Sequence, residues 1–212
     1  MAKNSKKLAV FDLDGTITHK DTFLEFIKYS RGTLAYYFGL LRLSPFILRF
    51  YLKGIPNHVL KEKFFGYFFK NQSYQATIID GENFSENEIP KLSMASAIKV
   101  LDWHRSQNHD ILILSASAKL WLHKWCEFRE YDLICTQFEV SDNQFTGKLG
   151  GTNCYGEEKK KRLTNYLSGK EYSYIYGYGD SKADGYFLEL VDESYLMPLS
   201  EKNVAEKWKA NA

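Results

Sequence analysis

The sequence predicts an α/β protein: a Rossmann-like parallel sheet core with an inserted α-helical cap. Three observations carry that expectation. Short apolar runs ending in Gly, Ser or Asp recur along the chain, as buried strands do. Stretches with helical spacing separate these runs, and such alternation argues for a parallel sheet with right-handed crossovers. A long aromatic and basic segment with its own helical spacing interrupts the alternation early in the chain. At 212 residues there is room for one core domain plus such an insertion.

The elements follow in order. Leu8-Ala9-Val10-Phe11 reads as a buried strand, and Gly15 as the turn that ends it. From Thr22 to Ile79, eight basic residues (Lys28, Arg31, Arg42, Arg49, Lys53, Lys61, Lys63, Lys70) face two acids, Glu25 and Glu62. That segment is +6 in a chain of net charge +2, which leaves −4 for the rest. It also holds 15 of the 34 aromatic residues. Helical spacing is clear at Leu34, Tyr37, Phe38 and Leu41, and again at Leu60, Phe64, Tyr67 and Phe68. Pro45 and Pro56 predict that the segment is cut into several short helices. Acidic residues Asp80, Glu82, Glu86 and Glu88 precede Pro90, which reads as the return linker. The expected division is a core of residues 1–19 and 92–212 and a cap of residues 20–91.

Beyond the linker, Met94, Ala97, Ile98 and Leu101 form a helical face. Ile111 to Leu114 is a buried strand ending at Ser115-Ala116-Ser117, and Trp121, Trp125 and Phe128 mark the next helix. Leu133 to Val140 is strand-like, Asp142-Asn143 is a turn signal, and Gln144 to Leu149 is expected to pair back as a hairpin. Leu163, Tyr166 and Leu167 mark another helix. Tyr174-Ile175-Tyr176 is a strand running into Gly177-Tyr178-Gly179-Asp180, and a last strand is expected at Ser194 to Leu199.

Composition narrows the classes of function. The apolar and charged fractions are those of a globular protein, and the net charge is too small to suggest nucleic-acid binding. Cys126, Cys135 and Cys154 are odd in number and lack zinc-ligand spacing, which suits a reducing compartment. The basic stretch Met1 to Lys7 is followed only by a short strand, too short for a signal-peptide core. The expectation is a cytoplasmic protein without an obligate protein partner.

Candidate chemistry sits at four places. Asp12 and Asp14, two apart, lie at the C-terminal tip of the first strand, where open α/β sheets hold their ligands. One acid can attack as a nucleophile while the other carries a proton. Ser115 ends the second strand, although an apolar strand ending in Ser also fits an ordinary helix N-cap. Lys159 opens the run Lys159-Lys160-Lys161-Arg162, which also fits a solvated helix face. The last place is Gly179-Asp180-Ser181-Lys182-Ala183-Asp184, whose alternative is an Asp-Ser turn capping a helix. Together, in this order, they supply what phosphoryl transfer needs: a nucleophile, positive charge for the equatorial oxygens, and ligands for a hard cation. Mg²⁺ suits such a site, because it takes few carboxylates and keeps substrate oxygens and waters in its octahedron.

Read together, Phe11-Asp12-Leu13-Asp14-Gly15-Thr16 and the three later motifs resemble the haloacid dehalogenase-like (HAD) hydrolase superfamily. The resemblance implies that Asp12 forms an aspartyl-phosphate and that Asp14 is the general acid/base. It implies that Ser115, with Ala116, and Lys159 bind the transferring phosphoryl group. The expected Mg²⁺ ligands are Asp12, the Asp14 carbonyl and Asp180, supported by Asp184, Gly15 and Thr16. Dehalogenases of the superfamily lack the second Asp and its transport ATPases carry Thr there, so Asp14 favours phosphate-ester hydrolysis or phosphomutase chemistry.

An insertion between the first and second motifs resembles the helical cap of the phosphoserine phosphatase-like subgroup. The fourth motif, Gly177-Tyr178-Gly179-Asp180-Ser181-Lys182-Ala183-Asp184, and the third, Cys154 to Lys159, look closer to phosphatidylglycerophosphatase C. Ala183 stands where phosphoserine phosphatases usually have Asn.

The expected function is therefore Mg²⁺-dependent hydrolysis of a phosphate monoester, with a lipid-linked phosphate such as phosphatidylglycerophosphate as the first expectation. A small soluble monoester is the alternative; a phosphomutase or a phospho-ligand binding protein comes after it. Gly32 to Leu52 is apolar but carries Arg42, Pro45 and Arg49. Each mid-span Arg costs about 2.5–3.5 kcal/mol on insertion scales, which argues against a spanning helix. Two readings of the cap remain: a small bundle with its own aromatic core, or an amphipathic cap resting on anionic lipid at the inner face of a membrane. The second places Arg42, Arg49 and Lys53 on one exposed surface beside aromatic side chains.

Overall fold

The computed structural model describes residues 6–208. Strand β1 (Lys7–Phe11) lies at the centre of a five-stranded sheet. Its partners are β2 (Asp110–Ala118) and β6 (Tyr174–Gly179), with β3 (Asp132–Thr136) and β7 (Glu193–Leu196) at the edges. The order is β3-β2-β1-β6-β7 and every pairing is parallel. Ala9 stands between Ile111 and Tyr176 in register, so the tips of β1, β2 and β6 reach the same edge of the sheet.

Side chains alternate along the strands, and both faces are covered, as parallel sheets require. Ala9, Phe11, Ile111 and Ile113 pack with Ala97, Val100 and Leu101 of α6 (Ala95–Ser106). Leu8, Val10, Leu112 and Leu114 face the opposite layer, with Leu163 of α8 (Glu157–Leu167) and Phe187 of α9 (Gly185–Leu188). Helix α7 (Lys119–Phe128) joins β2 to β3, and α10 (Glu201–Trp208) ends the described chain. The fold is the α/β parallel-sheet architecture expected from the sequence.

Five helices lie between β1 and α6: α1 (Thr22–Arg31), α2 (Thr33–Lys53), α3 (Asn57–Phe69), α4 (Tyr74–Asn87) and α5 (Ile89–Leu92). The chain leaves and returns side by side: the His19 N–H donates to Leu92 O at 3.0 Å and the Met94 N–H to Ile17 O at 2.8 Å.

Several expectations need correction. Pro45 does not cut the segment, because α2 runs through it for 21 residues. Proline removes a helix N–H and so leaves the Leu41 carbonyl without its usual donor. The Ser44 hydroxyl donates to that carbonyl at 2.8 Å, so the lost bond is replaced within the helix. The face formed by Leu34, Tyr37, Phe38 and Leu41 exists, but it points outward; Leu34 is 88% and Leu41 71% exposed. The opposite side of the helix, with Leu43 buried and Tyr36, Leu40 and Ile47 half-buried, faces the protein.

The helices also lack a separate aromatic core. Phe26, Phe65, Phe69 and Phe84 belong to the same buried cluster as Trp121 of α7. Phe26 stacks on Trp121 with ring centroids 4.8 Å apart.

Leu133 to Val140 is two strands, not one. β3 stays in the main sheet, while β4 (Phe138–Ser141) pairs antiparallel with β5 (Gln144–Leu149). The turn residues Asp142 and Asn143 both adopt left-handed backbone, with φ of 49° and 58°, as a tight hairpin demands. This hairpin packs on α3, with Phe65 stacked on Phe138. The last strand stops at Leu196, short of Pro198, which has no N–H for a ladder bond. Among the described residues, no helix is long and apolar enough to cross a membrane.

Candidate active site

Asp12 is the first residue beyond β1, and its N–H still donates to Tyr178 O at 2.9 Å. That bond fixes the backbone of the leading acid against the strand carrying the fourth motif. Next comes a tight turn in which the N–H groups of Thr16, Ile17 and Thr18 all point at Leu13 O. Gly15 sits in this turn at φ 88°, and a Cβ there would overlap the Asp180 carboxylate. A glycine is needed for both reasons.

Lys159 projects from the first turn of α8 and is almost wholly buried. Its Nζ donates to Asp12 Oδ1 at 2.5 Å and to Asp184 Oδ1 at 2.6 Å. Asp184 is held in turn by the Ser181 N–H at 3.1 Å and the Ser181 hydroxyl at 2.6 Å. Thr16 Oγ1 bridges Asp12 Oδ2 at 3.2 Å and Asp180 Oδ1 at 3.4 Å. Carboxylate oxygens of Asp12, Asp180 and Asp184 lie within 4.8 Å of one another. The Lys159 ammonium offsets the repulsion between Asp12 and Asp184, and the hard oxygen donors of Asp12 and Asp180 are of the kind that suits Mg²⁺.

Burial raises both leading acids, but their partners differ. Burial pushes the Asp12 carboxyl up to about 7, further than the Lys159 ammonium beside it pulls it down. For Lys159, burial favours the neutral amine, but Asp12 and Asp184 together outweigh it and hold the ammonium charged. Asp14 is not part of the carboxylate group around Lys159. Its Oδ1 accepts the Thr22 N–H at 2.7 Å and its Oδ2 accepts the Ser117 hydroxyl at 2.5 Å.

The donors around Asp14 form a chain. The Trp121 indole N–H donates to Thr22 Oγ1 at 3.2 Å, which leaves the Thr22 hydroxyl to donate to Ser117 Oγ at 2.8 Å. Ser117 then donates to Asp14. Burial raises the Asp14 carboxyl to about 6, and these hydrogen bonds limit the rise. An acid near neutrality can both give and take a proton.

The sequence-predicted residues do not all sit alike. Asp12, Asp14, Lys159, Asp180 and Asp184 line one cleft of about 520 Å³, together with Ala116. Ser115 lies beneath its floor, fully buried, with Oγ accepting the Ser117 N–H at 3.0 Å. Ser117 is the serine that faces the cleft. Gly15 and Thr16 shape the turn below.

Sequence reasoning missed Lys61 of α3, whose Nζ donates to Ala116 O at 2.6 Å and to Asn153 Oδ1 at 3.2 Å. Burial lowers its pKa, opposed by Asp14 and Asp21. No motif marks Lys61; it is one lysine in a basic segment. Phe23, Leu40, Ile47 and Phe50 form an apolar wall above the acids. A larger cleft of about 740 Å³ lies near the N-terminal ends of β2 and β3, among mixed charges such as Lys6, Arg105, Asp110 and Glu130. It holds none of the four motifs.

Residues 9–189 match the haloacid dehalogenase-like hydrolase family. The chain belongs to that family. It is 31% identical to Protein CicA of Caulobacter vibrioides over 188 residues, covering 88% of this chain and 83% of that one. A protein of unknown function from Bordetella pertussis Tohama I shares the fold at a TM-score of 0.78 and 21% identity. That match covers 98% of this chain and 96% of the other. A phosphoserine phosphatase holding an analogue of its phospho-aspartyl intermediate aligns at a TM-score of 0.62 and 15% identity. Here 96% of this chain and 91% of the other are covered. At these identities the solved structures establish a common fold. Phosphoserine phosphatase-like HAD hydrolases are therefore this chain's structural neighbours, whereas its likeness to phosphatidylglycerophosphatase C rests on motif wording alone.

Proposed function

We propose that this HAD hydrolase is a Mg²⁺-dependent phosphomonoesterase that forms an aspartyl-phosphate on Asp12. One observation carries the reading: the two acids of the first motif sit in different surroundings. Asp12 lies against the buried Lys159 ammonium, while Asp14 stands apart on a chain of hydroxyl donors. A nucleophile and a proton carrier need that separation.

In the first step an Asp12 oxygen attacks phosphorus and the bond to the leaving oxygen breaks. Asp14 gives its proton to that oxygen, so the alcohol departs neutral. In the second step Asp14 takes a proton from water as the water attacks the aspartyl-phosphate. Inorganic phosphate leaves and Asp12 is restored. Lys159 supplies fixed positive charge beside the transferring group, in a site too buried for water to screen it. Asp12 and Asp180 would hold Mg²⁺, which offsets repulsion between the attacking carboxylate and the phosphate dianion.

The preferred substrate in this reading is a lipid-linked phosphate such as phosphatidylglycerophosphate. The apolar wall of Phe23, Leu40, Ile47 and Phe50 supports a leaving group with hydrocarbon, and Lys61 supports a second anionic group beyond the scissile phosphate. Release of inorganic phosphate from p-nitrophenyl phosphate, with and without Mg²⁺, tests the chemistry. Asp12→Asn should abolish it in a folded protein, because an amide is a poor nucleophile and a weaker metal ligand. Retention of more than a few per cent of Mg²⁺-dependent turnover would remove Asp12 from the mechanism. Lipid phosphate in mixed micelles, compared with short soluble esters, tests the substrate; faster turnover of soluble esters would move the assignment to a small monoester.

A further inference from the structure

Helix α2 is apolar on both sides. Its inner side packs through Leu43, Leu40 and Ile47, yet its outer side leaves Leu34, Tyr37, Phe38, Leu41, Leu48 and Leu52 between 58% and 88% exposed. Fifteen large hydrophobic side chains are exposed among the described residues, and seven of them, these six and Tyr51, lie on this one helix. Scattered exposed apolar residues need no explanation, but a continuous row along about 30 Å of helix marks a surface made to be covered.

Charge identifies the cover. Helix α2 has no acidic residue, and exposed Arg42 and Arg49 flank the apolar row. Lys63 of α3 lies beside it, with Nζ 5.9 Å from the Phe46 ring centre. The Lys53 side chain lies outside the described residues. A second copy of this face would bring arginines to arginines with no acid between them, whereas anionic headgroups complement them. Apolar side chains with arginines at their edge and tyrosines among them suit the boundary between headgroups and acyl chains.

The row also meets the active-site cleft. Tyr51 is 76% exposed on the outer surface and at the same time lines the cleft, beside Phe50 and Ile47. Apolar surface therefore continues from the outside of α2 to the wall above Asp12 and Asp14.

We propose that the outer face of α2 docks on an anionic lipid surface and presents the mouth of the cleft to phosphate esters embedded there. Docking itself does not require the phosphatase reading; the delivery of substrate rests on it. Acyl chains would stay in the bilayer while the phosphorylated headgroup passes Tyr51 toward Asp12.

The test is co-sedimentation of the full chain with vesicles of phosphatidylcholine alone and of phosphatidylcholine mixed with phosphatidylglycerol. Two variants accompany it, Phe38→Gln/Leu41→Gln/Leu48→Gln and Arg42→Gln/Arg49→Gln, all at exposed positions away from the cleft. Wild type should bind the mixed vesicles at low salt, and each variant should bind them about tenfold or more weakly. Hydrolysis of p-nitrophenyl phosphate should be unchanged in both variants, which also reports that they fold. If wild type ignores mixed vesicles, or binds neutral vesicles equally well, the proposal is wrong. A wild-type dimer that becomes a monomer in the first variant, with no vesicle binding, would reassign the face to self-association. Loss of p-nitrophenyl phosphate hydrolysis in wild type would instead count against the phosphatase reading and leave the vesicle result standing.

Discussion

The Thr22 N–H donates to Asp14 Oδ1 at 2.7 Å, so the first residue of α1 aims the second carboxylate of the site. The helices that wall the cleft and the acid that serves it are thus tied at one point. A shift in α1 would turn Asp14 as well as move the wall, which in the proposed mechanism links what the cleft admits to proton delivery.

Asp14→Asn should leave Asp12 able to attack but unable to rely on a proton donor. Turnover of an alkyl phosphate is expected to fall by about 10²–10⁴-fold. The loss should be smaller for p-nitrophenyl phosphate, whose leaving group needs no proton. Equal losses on both substrates would argue that protonation of the leaving group does not limit the reaction.

Ser117→Ala removes a hydrogen bond that stabilises the ionised form of Asp14 and so lowers its pKa. Without it the pKa should rise above about 6. The protonated form, the acid of the proposed mechanism, then persists to higher pH. The alkaline limb of the rate profile for a poor leaving group should move up by about one unit. A limb that stays in place or moves down would remove Ser117 from the control of Asp14.

Gly15→Ala should act on the metal site as well as on the turn, which it strains at φ 88°. The added Cβ would meet the Asp180 carboxylate and must push it away. Activity of wild type should vanish with EDTA and return with Mg²⁺, but poorly with Ca²⁺, which prefers longer bonds and more ligands. In the variant, half-maximal activity should need about tenfold or more Mg²⁺, because second partners of ligands typically matter by that factor. An unchanged Mg²⁺ requirement would show that Asp180 can move without consequence.

His104 predicts acid sensitivity of the fold. Its Nε2 lies 2.8 Å from the Tyr178 hydroxyl and its Nδ1 2.8 Å from His109 Nδ1. Burial, helped by His109 and Lys7, depresses its pKa to about 3. The folded state keeps the ring neutral where the unfolded chain would protonate it. Its contribution to stability is complete above about pH 6.5 and is lost as the pH falls toward 3, by at most about 1.4 kcal/mol per pH unit. Melting temperatures between pH 6 and 4 should fall less steeply in His104→Gln than in wild type. Parallel slopes would mean that His104 is protonated in the folded state.

The sheet was legible because its signals are local. Leu8 to Phe11 and Ile111 to Leu114 are short apolar runs bounded by turn residues, and parallel topology follows from the alternation. The approach of Asp12 to Asp180 follows from strand tips that share one edge, and Lys159 and Asp184 join them from the starts of α8 and α9. The chain of donors to Asp14 was not legible, since Trp121, Thr22 and Ser117 come from three elements that only packing brings together. Lys61 was hidden for the same reason. In α2, periodicity revealed the helix but not its orientation, because a helix apolar on both sides offers no contrast to read. Pro45 misled because its remedy is the neighbouring Ser44 hydroxyl, a local bond that a rule about proline does not include.

The aromatic seam from Phe26 and Phe84 through Trp121 to Phe138 has a thermodynamic consequence. Melting α1 to α5 away from the sheet would strand Trp121 in water and break the cluster that also covers β1 and β2. Neither half can melt and leave the other intact, so the chain should unfold cooperatively. Calorimetry should record a single endotherm, with an enthalpy of about 150 kcal/mol referred to 60 °C and with calorimetric and van't Hoff enthalpies equal.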